Sequence, residues 1–269
     1  MLTAAAFGVL AGAMLIFPLE AAEAARRGLG LWAASVAPVL GPFMACMLMV
    51  SSRLGSGLWP RVLMGWLCGS PGGAKLMQPA SPRGRTALRC AALTGTMSPM
   101  FFLGAIGGWL GSPAQGALLL SCHVLGAWLL GLCVPADMHG SAAAAPLSLA
   151  AALGQTAAAL ALVALCMMLG CVSARMAACA LPGLPGAART ALQCALEVTS
   201  GVRALIQEHP PLLLPAVCAA CSFGGLSLLL QNAACWRESG VGAGTLLLLR
   251  AAHALIAFSL CLLLTRVLY

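Results

Sequence analysis

The sequence predicts an all-α membrane protein: a polytopic helical bundle with broken or re-entrant helices, built from two related halves in the manner of an inverted repeat. Three observations predict it. Of 269 residues, 61% are hydrophobic and 7% charged, far below the roughly 25% charged residues of a soluble domain. Apolar runs near the roughly 20 residues of a helical span occur at Leu2–Leu19, Leu31–Ser51, Leu118–Val134, Leu149–Cys171 and Thr245–Thr265. Three further runs, Gly65–Met77, Leu93–Leu110 and Leu212–Gln231, are interrupted by Ser-Pro, Gly-Gly or SFGG.

Taken in order, the first run lacks a basic n-region and reads as a retained span, although AAEAA after it imitates a signal cleavage site. The segment Ser81–Arg89 carries Arg83, Arg85 and Arg89, so the positive-inside rule turns it to the cytoplasm. The loop Pro135–Pro146 has Asp137 and no Lys or Arg, which turns it outward. Two full spans between these loops would put both on one side. One intervening segment must then fail to cross, and Thr94–Leu110, which begins TGTMSPM, is expected to be re-entrant.

The halves, residues 1–135 and 136–269, echo each other. Each holds a P-x-x-x-P (Pro38 with Pro42, Pro211 with Pro215), then a Ser-x-Gly-Gly (SPGG from Ser70, SFGG from Ser222), then a histidine after a leucine triplet (His123, His253). Paired helix breaks in duplicated halves point to a binding site at the breaks. The net charge of +8 is spread without a dense basic stripe and with few stacking aromatics, which argues against nucleic acid. The lipid bilayer is the partner the composition requires. Of the thirteen cysteines most lie in apolar runs, as small hydrophobes that let helices approach. The lone CxxC of Cys218 and Cys221 has no second motif, so no metal site is expected.

Gly72 and Gly73 permit a bend that frees backbone N–H groups at the start of a half-helix, and Lys75, the only lysine, stands one turn on. Amides and ammonium together suit a small carboxylate. The competing reading is an interfacial loop with a snorkelling lysine. The only asparagine, Asn232, likewise follows a Gly-Gly break. Thr94, Thr96 and Ser98 are candidates for a polar pocket, with helix packing as the alternative. Glu197, followed by Thr199, is an acidic group in an apolar setting. It is expected to hold a coupling Na+ or H+, or to pair with Arg203 or Arg250; an interfacial amphipathic helix is the alternative. His123 and His253 suit proton transfer or gating, and less well the ligation of a haem. No catalytic triad, HExxH or GxxxxGK is present, so no enzyme and no cofactor are expected.

In this order, GLGLWAASVAPVLGPFM, GSPGGAKL, LSCHVLG, LEVTSGVRAL, SFGGLSLLLQ and LLRAAHAL resemble the motif series of the YlbJ family of sporulation integral membrane proteins. That family belongs with the nucleoside-recognition, or Gate, domains, relatives of concentrative nucleoside transporters. The resemblance covers nearly the whole chain. It implies a permease for a small organic anion, dipicolinate first, moved from mother cell to forespore, with a homo-oligomer or another sporulation membrane protein as partner. It maps the family's PSGAKL onto Pro71 to Leu76 and its serine-glycine-glutamine stretch onto Ser222, Phe223, Gly225, Ser227 and Gln231. Lys75 with Gly72 and Gly73 would bind carboxylate, and Ser222, Gly224, Gly225 and Gln231 would oppose them. Ser70 stands where the family has an aromatic, and Gly95 where it has asparagine. These departures leave open a different solute, such as a nucleoside, or a non-transporting scaffold.

Overall fold

The computed structural model describes residues 2–53, 57–138 and 146–268. The described residues hold helices and no strand. The helices are α1 (Leu2–Ile16), α2 (Pro18–Leu31), α3 (Ala37–Ser51), α4 (Leu58–Cys68), α5 (Gly72–Met77), α6 (Gly84–Thr94), α7 (Phe101–Leu110) and α8 (Pro113–Leu132). After them come α9 (Leu149–Ala180), α10 (Gly186–Leu196), α11 (Val198–Glu208), α12 (Leu213–Phe223), α13 (Gly225–Trp236) and α14 (Ala243–Leu268).

The apolar pattern decides most of these elements, and proline and glycine decide their ends. Among the described residues, five stretches are long and apolar enough to cross a membrane: Pro18–Ser51, Pro113–Leu132, Leu149–Ala180, Leu213–Ser239 and Ala243–Val267. Large apolar side chains such as Leu15, Leu248, Leu255 and Val267 point outward, where only lipid solvates them cheaply. The protein is an all-α, polytopic integral membrane protein. Small residues set the helix contacts: Gly28 lies against the backbone of Met167 and Met168, and Gly126 against His253 and Ala257.

The first expected span does not form as one rod. Pro18, at the first helical position of α2, splits it. That leaves α1 with 15 residues, a rod of roughly 23 Å against the roughly 30 Å of a bilayer core. Beyond Pro18, α2 runs through a π-helical turn at Trp32–Val36 into α3.

Two helical hairpins organise the interior. In the first, α5 folds back on α4: Gly65 meets Gly73, and Arg61 donates to the Leu76 carbonyl at 3.3 Å. In the second, α11 folds back on α10: Gly201 meets Cys194, and the Thr190 hydroxyl donates to the Glu208 carboxylate. Each hairpin is followed by an interrupted crossing and then an unbroken helix. The crossing α6–α7 lies along α8, with Leu93 at Gly131, Met97 at His123 and Phe102 at Gly116. The crossing α12–α13 lies along α14, from Cys218 packed with Cys261 to Trp236 packed with Leu246.

This order corrects two expectations. The elements that fold back are Leu58–Ala80 and Gly186–Glu208, whereas Thr94–Leu110, expected to be re-entrant, continues α6 along α8 as one interrupted crossing. The two loops then share one end: the Thr86 hydroxyl and the Arg89 guanidinium donate to the carbonyls of Asp137 and Ala136. The rest of the loop expected to face outward, residues 139–145, lies outside the described residues. Arginines stand at both ends, Arg83, Arg89 and Arg237 at one and Arg27, Arg175 and Arg189 at the other, so their placement does not fix an orientation.

The repeat is also re-registered. Hairpin, interrupted crossing and histidine helix recur as Leu58–Leu132 and Gly186–Leu268, one on each side of the 135/136 boundary. The break at Ser70 therefore matches Glu197, and TGTMSP matches SFGG; the intervals to His123 and His253 are then nearly equal. Pairing SPGG with SFGG does not survive, nor does the proline pair, since Pro38 and Pro42 lie on α3 and Pro211 and Pro215 at the start of α12. The two units are inverted. Along α14, Arg250 sits at Gly95, His253 at Gly126 and Cys261 beside Cys122 and Leu119, so α14 runs antiparallel to α8.

Candidate functional site

Four interruptions meet in the middle of the bundle. At the first hairpin tip, Gly69 takes a φ of +70°, and a side chain there would run into the backbone of Ser98. The Ser70 amide donates to the Thr96 carbonyl at 2.6 Å, joining this tip to the break in α6–α7. The Ser70 hydroxyl donates to Asn232 Oδ1 at 2.9 Å, and Asn232 Nδ2 donates to the Leu228 carbonyl. One side chain thus ties the first hairpin to α13 of the other half.

The second tip is built on charge. Glu197 is fully buried, and its two carboxylate oxygens accept the amides of Thr199 and Ser200 at 3.0 and 2.6 Å. A carboxylate in this place satisfies orphan N–H groups and matches the positive end of α11. Gly225, at φ +69°, brings the break in α12–α13 against Cys194 and Val198 beside it. Arg250 supplies the opposite case: buried, it donates to the carbonyls of Gly95 and Ala91 at the C-terminal end of α6, where a cation matches the dipole. The guanidinium fills the space that a side chain on residue 95 would need, which accounts for the glycine there. Glu197 pairs with neither Arg203 nor Arg250, a correction: Glu197 and Arg250 are each matched by a half-helix terminus, not by a counter-ion.

His123 joins the two interrupted crossings. The Met97 amide donates to its Nε2 at 2.9 Å, so Nδ1 carries the hydrogen and donates to Ser222 Oγ at 2.8 Å. His253 donates from Nε2 to the His123 carbonyl at 2.8 Å, and its Nδ1 is buried without a partner. The rings lie 4.7 Å apart, too close for a haem plane to stand between them.

Between these elements lies a cavity of about 320 Å3. Ser70 and Thr199 from the hairpin tips, Ser98 and Gln231 from the interrupted crossings, and Ser35 give it its polar groups. Val39, Phe101, Trp109, Met167 and Leu228 give it an apolar wall, and among the described residues no Asp, Glu, Lys or Arg lines it. Gln231 is 1% exposed and its Nε2 has no partner, so two donors stand unused beside the cavity. Buried donors without partners are costly, and a solute oxygen would satisfy them.

Of the residues expected at the site, Ser70, Ser98, Thr199 and Gln231 come together at the cavity, with Asn232 and His123 one bond behind it. Thr94 bonds its own helix at Cys90 and packs on Gly65 and Gly73. Thr96 is buried with its hydroxyl unpaired. Gly224 ends α12 at φ +79°. Ser227 faces a separate apolar cavity against α1 and α9. Gly72 packs against Cys68, and Gly73 is packed between helices with its amide spent on the Gly69 carbonyl, so Gly73 has no amide to offer a carboxylate. Lys75 stands half-buried on the last turn of α5, its ammonium makes no hydrogen bond or ion pair with a described residue, and it does not line the cavity. Ser35, Trp109 and the bracing role of Arg250 were not read from the sequence. Arg250 carried a signal, a lone charge in an apolar run, while Ser35 and Trp109 carried none.

Fold and site together define a membrane protein of two inverted hairpin-and-broken-helix units closed around one cavity. Comparison with known protein families, curated proteins and solved structures gives no match.

Proposed function

We propose that the chain is a solute permease whose hairpin tips gate the central cavity. One observation carries this reading: two hairpin tips that enter from opposite ends, the two interrupted crossings and Ser35 supply the polar groups of a single cavity. Backbone free of regular helix is tolerated inside a membrane where it is buried or lines a wet cavity. Paired inverted breaks suit alternating access. The solute is small, with hydrogen-bonding edges for Ser70, Ser98, Thr199 and Gln231 and a flat apolar body for Phe101 and Trp109. The resemblance supplies the first candidate, dipicolinate, and with it a setting in the envelope of an endospore-forming cell. A second reading, an uncharged solute such as a nucleoside, is favoured by the absence of any charged side chain from the cavity wall.

Purified protein in proteoliposomes is to be tested for binding and uptake of radiolabelled dipicolinate and uridine, alongside Gln231→Leu. Saturable uptake of one solute, weakened about tenfold or more in the variant, is expected. Binding of neither solute by the wild-type protein would favour a scaffold over a permease.

A further inference from the structure

Behind the second hairpin tip lies another cleft, of about 250 Å3. Arg27 of α2, Arg175 of α9 and Arg189 of α10 line it together with Gln193 and Ser200, and no Asp or Glu does. The carboxylates nearby are already engaged, Glu208 by the Thr190 hydroxyl. Glu23 accepts from Arg27 at 2.7 Å on the exposed face of α2, and Glu197 is held by the amides of Thr199 and Ser200. Arg175 bonds no described residue, and Arg189 reaches the carbonyls of Pro182 and Leu184 only at 3.4 Å each.

Glu23 offsets Arg27, but Arg175 and Arg189, both exposed and without a carboxylate partner among the described residues, share one small cleft, and an anion between them would relieve their repulsion. Their planar forks fit the oxygens of phosphate or carboxylate. We propose that this cleft is an anion site, in which Arg175 and Arg189 clasp a phosphate or carboxylate group and Arg27 flanks it. The site has a built-in connection to the centre of the molecule. Ser200 lines the cleft and its neighbour Thr199 lines the central cavity, so a single turn of α11 separates them, and an anion in the cleft braces the second tip. The proposal does not depend on which solute the central cavity takes. Its ligand has two sources, the headgroup of an anionic phospholipid or a free anion from solution.

The test uses the full chain in nanodiscs. In discs of neutral phosphatidylcholine, inorganic phosphate is titrated and the thermal unfolding temperature followed. In discs of mixed phosphatidylcholine and phosphatidylglycerol, native mass spectrometry counts the phosphatidylglycerol retained. Saturable stabilisation by phosphate, or a retained phosphatidylglycerol, is expected in the wild-type protein. Joint Arg175→Gln and Arg189→Gln substitution is expected to weaken it about tenfold or more, whereas Arg85→Gln with Arg237→Gln at the opposite end leaves it unchanged. Should the glutamine pair not fold, Arg175→Lys with Arg189→Lys keeps the charge and removes the fork, and is expected to weaken binding less. Retention of lipid alone assigns the headgroup, and stabilisation by phosphate assigns the free anion. If the wild-type protein binds neither, or if the two arginine pairs weaken binding equally or not at all, the site does not exist.

Discussion

The two hairpins reach the same shape by different chemistry. The first turns on backbone freedom: Gly69 at positive φ, Gly73 pressed against Thr94, and no charged group at its tip. The second turns on a buried carboxylate, with Glu197 closing the first turn of α11 through two amides. One tip is fitted by the absence of side chains and the other by the presence of one. Within this one chain, the two hairpins share a shape and differ in the residues that make it. The difference explains why pairing the two Gly-Gly motifs put the halves out of register.

The comparison is broken most severely at Gly69. An added methyl group there would meet the backbone of Ser98, and backbone cannot rotate away as a side chain can. Gly69→Ala is expected to cost about 3 kcal/mol, read as a lower unfolding temperature of the purified protein in detergent. Gly84→Ala is the control, since that glycine also has positive φ but faces open space. Equal losses from both substitutions would mean that backbone conformation alone matters and that the contact between tip and break is not what holds the first hairpin.

At the second tip the corresponding damage is electrostatic. Glu197→Ala leaves two buried amides without acceptors and is expected to cost about 2 kcal/mol. Glu197→Gln keeps one acceptor of the same shape and is expected to cost about 1 kcal/mol. The order alanine below glutamine below glutamate, measured by thermal unfolding, sharpens the contrast with Gly69. If glutamine proved worse than alanine, the carboxylate would have a partner other than the helix terminus, and the capping account would fail.

How far the sequence reveals these features follows from the same contrast. Interruptions caused by glycine and proline are local, so the breaks at Gly69–Pro71, Gly95–Ser98 and Gly224–Gly225 are all legible, as is the membrane character. Which helices fold back is not local. Gly65 meeting Gly73 makes α4 and α5 a hairpin, whereas Leu93 meeting Gly131 makes α6 part of a crossing, and both depend on residues far apart in the chain. The partners of the charges are not local either. Lys75 is conspicuous as a lone lysine, yet where its head lies depends on how α5 packs. Arg250 looks like a partner for Glu197 until the carbonyls of Ala91 and Gly95 are seen beside it.

A smaller effect tests the link between the halves. Ser70→Ala removes the bond to Asn232 across the repeat interface but leaves the amide of residue 70 on Thr96. About 1 kcal/mol of stability is expected to go, with a larger share of any solute affinity because the hydroxyl also faces the cavity. A loss of stability with solute affinity intact would assign Ser70 to the interface alone.

The smallest expected effect is at Lys75, the residue that the sequence makes most prominent. Its side chain has no hydrogen-bond partner among the described residues and lies outside the cavity lining. Lys75→Ala is therefore expected to change stability by less than about 0.5 kcal/mol, and to change affinity for dipicolinate or uridine by less than about twofold, an energy of under about 0.5 kcal/mol. Long-range attraction would remain its only contribution, visible as a slower association rate at low salt that vanishes once the Debye length falls below about 10 Å. A tenfold loss of affinity at high salt would place the ammonium on the solute itself. It would then follow that the first tip closes further than the structure shows, carrying α5 and its lysine into the cavity that Ser70 already lines.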